Sequence, residues 1–253
     1  MTAVPARPHE YEGHEEHNGH EEHHEDHHVP APLPALRRRV LVTGLVLLAL
    51  GVLVTVLVTV APTRSAVQRL DDRFYDLMVD LRWPGAVSFS KVLSAVFGTA
   101  IDWPIRAGVV LVLVLRRHWL ALTAWLVTVG VSEASIGPLK ALVDRPRPPS
   151  SLISTSAASY PSGHAIASAV TAIGIVMALT TGRRRLWWMI VAVIVATLVA
   201  LSRTYLNAHW LTDVLGGSLL GAGLALAIPE AFEVARDRRR LKAARLSPSR
   251  PPP

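Results

Sequence analysis

Apolar residues occur along this chain in long runs, separated by short polar, proline-rich or arginine-rich stretches. The first run, 40–61, holds no charged residue and can cross a bilayer core of ~30 Å at about 1.5 Å per residue. Five further runs follow, and Asp102, Pro104 and Arg106 obscure the start of the second. The predicted spans are 40–61, 97–115, 119–139, 164–181, 186–201 and 211–228. The pattern therefore predicts an all-α protein, a bundle of six transmembrane helices.

The segments outside the spans divide the chain further. Residues 1–36 are polar and then proline-rich without apolar periodicity, which predicts a disordered tail. In 64–83 the apolar residues recur at nearly helical spacing, which predicts an amphipathic helix. This helix either lies on the outer membrane surface or packs over the bundle as a soluble helix. The membrane domain is predicted at 37–232 and a basic tail at 233–253.

Composition agrees with a membrane protein. Hydrophobic residues make up 51% of the chain and the mean hydropathy is +0.35. The absence of cysteine excludes disulfides and thiolate metal sites. The net charge of +7 conceals an acidic first segment, since 1–28 holds eight acidic residues and one arginine. The remaining basic residues flank the apolar runs, so they indicate a bilayer rather than a nucleic acid as partner.

Arginine clusters indicate the orientation of the bundle. They lie at 37–39, 116–117, 183–185 and 236–245. With six spans, all of them fall on one side, which the positive-inside rule identifies as the cytoplasm. Both termini are then cytoplasmic, and the stretch 62–90 lies outside with its arginines balanced by aspartates. The unbalanced cations on the outer side belong mainly to three polar clusters, described next.

One cluster, PSGH at 161–164, directly precedes the fourth predicted span. Ser162 is a favoured N-cap residue, and Gly163 lets backbone N–H groups approach a ligand closely. A helix N-terminus offers unpaired donors and about half a positive charge, which suits a phosphate. His164 would lie in the first turn and face that ligand. A simple helix cap would also explain the sequence.

Another cluster, SRTYLNAHWLTD at 202–213, contains a histidine and an aspartate at helical spacing. His209 and Asp213 are four residues apart, so they share a helix face. A carboxylate that accepts one imidazole N–H leaves the lone pair of the other nitrogen free for nucleophilic attack. The planar fork of Arg203 matches phosphate oxygens. The alternative is a His–Asp pair that only caps a helix.

The remaining cluster, KALVDRPRP at 140–148, places Lys140 and Arg147 at the outer end of the third span. Taken alone, these cations are explained by side chains that reach toward the membrane surface. Taken together, the clusters supply three cationic donors, a helix N-terminus and two histidines on one membrane face. Phosphoryl transfer needs charge neutralisation, an in-line nucleophile and an acid for the leaving group. Side chains fill each role, so no metal or cofactor is predicted.

These motifs resemble a known family. Lys-x6-Arg-Pro, Pro-Ser-Gly-His and Ser-Arg-x5-His-x3-Asp match the signature of the type 2 phosphatidic acid phosphatase superfamily, and the resemblance covers roughly 90–230. It implies an integral membrane phosphatase with its site at the outer membrane face. The implied substrate is a lipid phosphate or pyrophosphate, such as phosphatidic acid, phosphatidylglycerol phosphate or polyprenyl pyrophosphate.

The resemblance also implies a role for each motif residue. His209 attacks phosphorus to give a phosphohistidine, Asp213 orients His209, and His164 protonates the leaving oxygen. The implied phosphoryl-binding residues are Lys140, Arg147, Ser162, Gly163 and Arg203. The motifs do not specify which lipid is the substrate.

Two other functions fit parts of the sequence. The histidines of the first 28 residues are interleaved with acids, and such a tail binds zinc, nickel or copper or is merely solvated. A membrane transporter or metal-handling protein is therefore the alternative function, but transporters place charges at mid-membrane and show repeats that this chain lacks. A vanadate-dependent haloperoxidase has a similar site, and the six predicted spans argue against it.

Overall fold

The computed structural model describes residues 34–155 and 158–246, and within these ranges the chain is all helical, which confirms the predicted fold class. The helices are α1 Pro34–Thr59, α2 Ala61–Asp80, α3 Pro84–Val96, α4 Thr99–Leu115, α5 Trp119–Val143, α6 Gly163–Leu179, α7 Arg183–Tyr205 and α8 Leu211–Leu246. The described residues begin at 34, so residues 1–33 of the predicted disordered tail lie outside them. Part of the predicted basic tail is helical, because α8 continues to Leu246.

The number of spans differs from the prediction. Four described helices, α1, α5, α7 and α8, are long and apolar enough to cross a membrane. The pair α3 and α4 passes the same test together, although a break between them bends the pair by 43°. With 17 residues, α6 reaches about 25 Å, which is short of a ~30 Å bilayer core. The described helices thus provide four to five candidate spans, and the predicted six are not confirmed.

The stretch predicted to lie outside the membrane, 62–90, is almost entirely helical. It contains α2, which overlaps the predicted helix at 64–83, and the first part of α3. The sequence pattern did not reveal α3 as a separate helix. Proline at the start of α3 has no N–H to leave unpaired, so Pro84 is well suited to this position. The predicted second span at 97–115 correspondingly begins two residues later.

The outward faces of the long helices are apolar. Leu45 and Val52 on α1 are 51% and 55% exposed, and Trp187 and Ile194 on α7 are 72% and 53% exposed. Contiguous apolar surface of this kind is rare on soluble monomers and marks contact with a membrane or a partner. Together with the length of the helices, it indicates a multi-pass membrane protein.

The central helix of the bundle is α8, which packs against α1, α5, α6 and α7. Two of its glycines let α6 approach closely. A Cβ at Gly217 would lie 2.8 Å from the carbonyl oxygen of Ser162, and one at Gly221 would lie 2.6 Å from that of Ile166. Small residues four positions apart commonly allow such contact between membrane helices. As a result the N-termini of α6 and α8 lie side by side, and the N–H of Ser162 donates to the carbonyl oxygen of Asp213 at 3.1 Å.

Three of the four basic clusters lie at the same end of the bundle. Arg37 at the start of α1 and Arg236 in α8 both pair with Glu233. Arg185 at the start of α7 lies 3.7 Å from Glu230. The polar motif clusters are found at the opposite end, beyond the last turn of α7.

Candidate active site

The loop between α7 and α8 folds back on the end of α7 and carries His209. The N–H groups of Ala208 and His209 donate to the carbonyl oxygen of Arg203 at 3.0 and 3.3 Å. Asn207 adopts a φ of 54°, a left-handed conformation that asparagine tolerates better than most residues. This tight turn buries His209, which is only 4% exposed, immediately before α8 begins.

Asp213 lies in the first turn of α8 and is fully buried. Its Oδ1 accepts a hydrogen bond from Arg145 Nη1 at 2.9 Å. Its Oδ2 accepts from the backbone N–H of Trp210 at 2.9 Å and from the hydroxyl of Ser159. His209 Nδ1 lies 3.6 Å from the same Oδ2, which is longer than a hydrogen bond. The carboxylate therefore faces the imidazole while three other donors fix its position.

Arg147 meets the other nitrogen of the His209 ring. Its Nη1 lies 3.3 Å from His209 Nε2 and donates to the carbonyl oxygen of Ala208 at 2.6 Å. A guanidinium has no acceptor, so Nε2 accepts in this contact and the neutral ring carries its proton on Nδ1. That proton faces Asp213. The geometry thus has the tautomer required for attack through Nε2.

Lys140 and Arg203 bring further positive charge to the same end of the bundle. Lys140 lies in the last turn of α5, and its Nζ donates to the carbonyl oxygen of Ala158 at 2.6 Å. Arg147 Nη2 donates to that oxygen at 3.4 Å. Arg203 in the last turn of α7 is 5% exposed and donates through Nη1 to the hydroxyl of Ser94 in α3. Lys140 and Arg147 lie close together because they share the carbonyl oxygen of Ala158, and Arg203 is within electrostatic range of both.

The N-terminus of α6 closes the site. Ser162 is its N-cap residue, and the Ser162 hydroxyl accepts the N–H of Ala165 at 3.4 Å. A Cβ at Gly163 would meet no protein atom within 4 Å, so the backbone there is open to a ligand. The sequence correctly predicted the cap, and the hydroxyl of Ser162 is occupied by it.

His164 lies between the α6 N-terminus and the start of α4. Its Nε2 is 3.7 Å from the position that a Cβ on Gly98 would occupy. It also lies within electrostatic range of Arg203 and His209. The two histidines of the motifs therefore belong to one site, although 45 residues separate them.

Burial controls the protonation of His209. Removal from solvent, together with the positive charges of Arg147 and Arg203, lowers the pKa of His209 to about 4, although the charge of Asp213 opposes the shift. The pKa of Arg147 is also lowered by burial, with Asp213 opposing. The His209 ring is therefore neutral near pH 7, and its Nε2 lone pair is available at that pH.

All of the predicted site residues lie at the same end of the bundle, around His209. They are Lys140, Arg147, Ser162, Gly163, His164, Arg203, His209 and Asp213. Together they form a cationic pocket with a neutral imidazole and a helix N-terminus. Such a pocket can hold an anion with several oxygens and attack it through nitrogen.

Comparison with known proteins identifies the family. The sequence profile of the PAP2 superfamily matches residues 117–237. Phosphatidylglycerophosphatase B of Bacillus subtilis is 31% identical over 175 residues, which are 62% of this chain and 80% of that protein. The chain belongs to the PAP2 superfamily. A second relative, an undecaprenyl-diphosphatase of Sulfolobus acidocaldarius, is 42% identical over 67 residues, but the match spans only 26% of this chain and 30% of that protein.

Two solved structures share the PAP2 fold with this chain. The crystal structure of a transmembrane PAP2 type phosphatidylglycerolphosphate phosphatase from Bacillus subtilis superposes with a TM-score of 0.65 at 22% identity, covering 82% of this chain and 99% of that one. The crystal structure of Aquifex aeolicus LpxE gives a TM-score of 0.53 at 19% identity, covering 63% and 94%. At these identities the likeness is one of fold.

This PAP2 chain has a further arginine in its site that sequence analysis did not single out. Arg145 is 5% exposed and contacts Asp213 and Asp71 at 2.9 and 2.6 Å. It lies two residues before Arg147, in the same motif, and only the second arginine was given a role. Arg145 reaches behind Asp213, whereas Arg147 contacts His209.

Asp71 was also missed, because it was counted among the aspartates that balance the outer arginines. In the structure it is 1% exposed. The sequence held a signal for this burial: Asp71 lies four residues after Val67 and three before Phe74, on the apolar face of α2. An acidic residue on the inward face of an amphipathic helix indicates a buried cationic partner.

For the N-terminal tail the sequence leaves metal binding and simple solvation open, and the histidines of this tail lie outside the described residues. In the part of the chain that the structure describes, no three His, Asp or Glu side chains are grouped as metal ligands. The pocket of the PAP2 motifs presents arginine and lysine donors instead.

Proposed function

We propose that this protein is a membrane-embedded phosphatase that hydrolyses a lipid phosphomonoester or pyrophosphate through a phosphohistidine on His209. The observation that carries the proposal is the position of His209 Nε2, 3.3 Å from Arg147 Nη1 in a buried cationic pocket. A neutral imidazole beside several cations has both the nucleophile and the charge neutralisation that phosphoryl transfer needs.

The phosphoryl oxygens are bound by Lys140, Arg147, Arg203 and the N-terminus of α6 at Gly163. Guanidinium groups match pairs of phosphate oxygens, and a helix N-terminus supplies backbone donors. Ser162 acts by capping α6 and holding that N-terminus in place. In the structure Arg147 contacts the lone pair of His209, and a bound phosphoryl oxygen would take over this hydrogen bond and free Nε2.

The reaction then proceeds in two steps. In the first, His209 Nε2 bonds to phosphorus while the bond to the leaving oxygen breaks, and His164 gives that oxygen a proton. Asp213 stabilises the positive ring that results. In the second step His164 takes a proton from water as the water attacks phosphorus. The N–P bond breaks, phosphate leaves, and neutral His209 is restored.

The relatives support the substrate class. The names of the two relatives refer to a phosphatidylglycerophosphate and to an undecaprenyl diphosphate. Both are lipids that carry a terminal phosphoryl group, so we propose a lipid of this kind as the substrate. We further propose that the reaction needs no metal, that the pocket faces the outside of the cell, and that both termini are cytoplasmic.

Phosphate release from a panel of lipid phosphates and pyrophosphates tests the proposal. We expect wild-type activity with EDTA present, and a loss on the order of 10³-fold or more in His209→Ala and His209→Gln. The matched control is His118→Ala, because His118 is exposed at the opposite end of α5. Retained activity in correctly folded His209 variants would exclude the mechanism, and EDTA-sensitive activity would exclude metal independence.

A further inference from the structure

The first turn of α8, which carries Asp213, is held from outside by α2. The backbone N–H of Thr212 donates to Asp71 Oδ1 at 2.9 Å, and the hydroxyl of Thr212 donates to Asp71 Oδ2 at 2.6 Å. The residue before α8 is Trp210, whose side chain has no oxygen to accept these donors. Asp71 therefore caps the N-terminus of α8 from another helix, although α8 begins 140 residues later in the chain.

Arg145 links the same carboxylate of α2 to Asp213. Its Nη2 donates to Asp71 Oδ2 at 2.6 Å and to Gln68 Oε1 at 2.7 Å. Its Nη1 donates to Asp213 Oδ1 at 2.9 Å and to the Thr212 hydroxyl at 2.7 Å. Each of the two terminal guanidinium nitrogens thus bonds to one aspartate, and all of these groups are buried except Gln68. Such a connected network restricts the carboxylate of Asp213 to one orientation.

The network also sets the charge that faces His209. Two buried carboxylates share the single guanidinium of Arg145, so the trio keeps one net negative charge. Without Asp71, Arg145 would be neutralised by Asp213 alone, and less negative charge would face the imidazole. A positive ring forms when Nε2 bonds to phosphorus, and the remaining negative charge stabilises it.

We propose that Asp71 and Arg145 are positioning residues for catalysis, which hold Asp213 against His209 and supply the charge that stabilises the ring as it becomes positive. On this proposal α2 is part of the catalytic apparatus and acts through Asp213. The inference rests on the proposed function, since it assigns a role in the attack by His209.

Three variants test the pair: Asp71→Asn, Arg145→Lys and the double variant. Asn at 71 keeps an acceptor for the Thr212 N–H but loses the charge, and Lys at 145 keeps the charge but loses the fork. We expect kcat to fall roughly tenfold to hundredfold in each single variant, as is usual when support behind a reacting group is removed. KM should stay within about threefold, since neither residue is among the proposed phosphoryl-binding groups.

The double variant should lose no more activity than the single variant that has the larger loss, because the effects of residues that act as one unit are not additive. Asp76→Asn is the matched control, since Asp76 is exposed on the same helix and the chemical change is identical. It should retain wild-type kinetics. Multiplicative losses in the double variant would overturn the proposal that the pair works as a unit.

Binding of inorganic phosphate separates positioning from misfolding. In detergent, each variant should bind the same number of phosphate ions per protein as wild type, with nearly the same Kd, because the cationic pocket is intact. If the number falls in proportion to kcat, the residues only stabilise the fold and the inference is wrong. Wild-type kinetics in Asp71→Asn would also overturn it, whereas an inactive wild type would instead refute the proposed function.

Discussion

The two ring nitrogens of His209 face opposite charges. Asp213 lies 3.6 Å from Nδ1, and Arg147 lies 3.3 Å from Nε2. Because the ring is buried, its neutral form is favoured, and the contacts decide which nitrogen carries the proton. At the scale of single residues, the proposed mechanism therefore has His209 prepared for attack by burial and by its tautomer, and needs no base that removes a proton from it.

The pH dependence of kcat/KM tests this account. His209 reacts as the neutral ring, so activity rises with pH through the pKa of His209, which burial lowers to about 4. On the proposed mechanism His164 reacts as an acid, and burial together with the charge of Arg203 lowers its pKa to about 4 as well, so activity falls again as pH rises through this value and His164 loses its proton. We therefore expect a bell-shaped profile whose acidic limb lies below the usual range for histidine, ~6.5.

The profile should be measured with a substrate for which the chemical step limits the rate. His164→Ala should have much lower activity and no alkaline limb that belongs to histidine. A flat profile from about pH 5 to 9 would count against the acid role of His164.

At the scale of elements, the site depends on how closely α6 approaches α8. Gly217 and Gly221 of α8 have no side chain, so the backbone of α6 packs closely against them and the two helix N-termini come together. One of these N-termini would receive the phosphoryl group, and the other carries Asp213. Wider spacing would separate His164 from His209, because these residues lie just at the two N-termini.

Gly221→Ala should therefore destabilise the protein and reduce its activity. The new Cβ would lie 2.6 Å from the carbonyl oxygen of Ile166, so one helix backbone must shift. We expect a loss of about 1–3 kcal/mol, as for other overpacked sites, seen as a lower Tm in detergent.

Gly130→Ala in α5 is the control for this substitution. A Cβ there would meet no protein atom within 4 Å, and alanine favours a helix interior over glycine. Its Tm should stay the same or rise slightly. Equal effects of both substitutions would mean that close contact between α6 and α8 is not needed.

At the scale of the whole molecule, the bundle is polarised. Arginines at the starts of α1 and α7 meet acidic residues of α8 at one end, and the cationic pocket lies at the other. The positive-inside rule predicts that the first end is cytoplasmic. The lipid phosphate would then be cleaved at the outer surface.

Cysteine labelling tests this orientation, and the chain suits it because it contains no cysteine. Ser154→Cys and His118→Cys place single thiols at exposed positions near the pocket and at the opposite end. In intact cells an impermeant maleimide should label the thiol at 154, and the thiol at 118 only after lysis. The reverse pattern would show that the pocket faces the cytoplasm.

Local sequence patterns were sufficient for much of this protein. The apolar runs located a helix for each of the six predicted spans, with ends that differ by a few residues, and the runs 119–139, 186–201 and 211–228 lie wholly within α5, α7 and α8. The spacing of His209 and Asp213 predicted one shared helix face, yet His209 lies in the loop before α8 and meets Asp213 across the helix start. The motifs identified the family because each role in phosphoryl transfer restricts the residue type.

Other features were decided only by tertiary structure. The length of α6 and the break between α3 and α4 changed the span count, since an apolar run shows hydrophobicity but not where a helix bends or stops short of the bilayer. Arg145, which contacts both Asp213 and Thr212, is 67 or more residues away from them in the chain, and Asp71, which contacts Thr212, is 141 residues away. A buried charge must find a partner, and its own sequence neighbourhood does not state which of several aspartates or arginines will be brought to it. Here the packing of α2 against the start of α8 determines which aspartate meets Arg145 and Thr212.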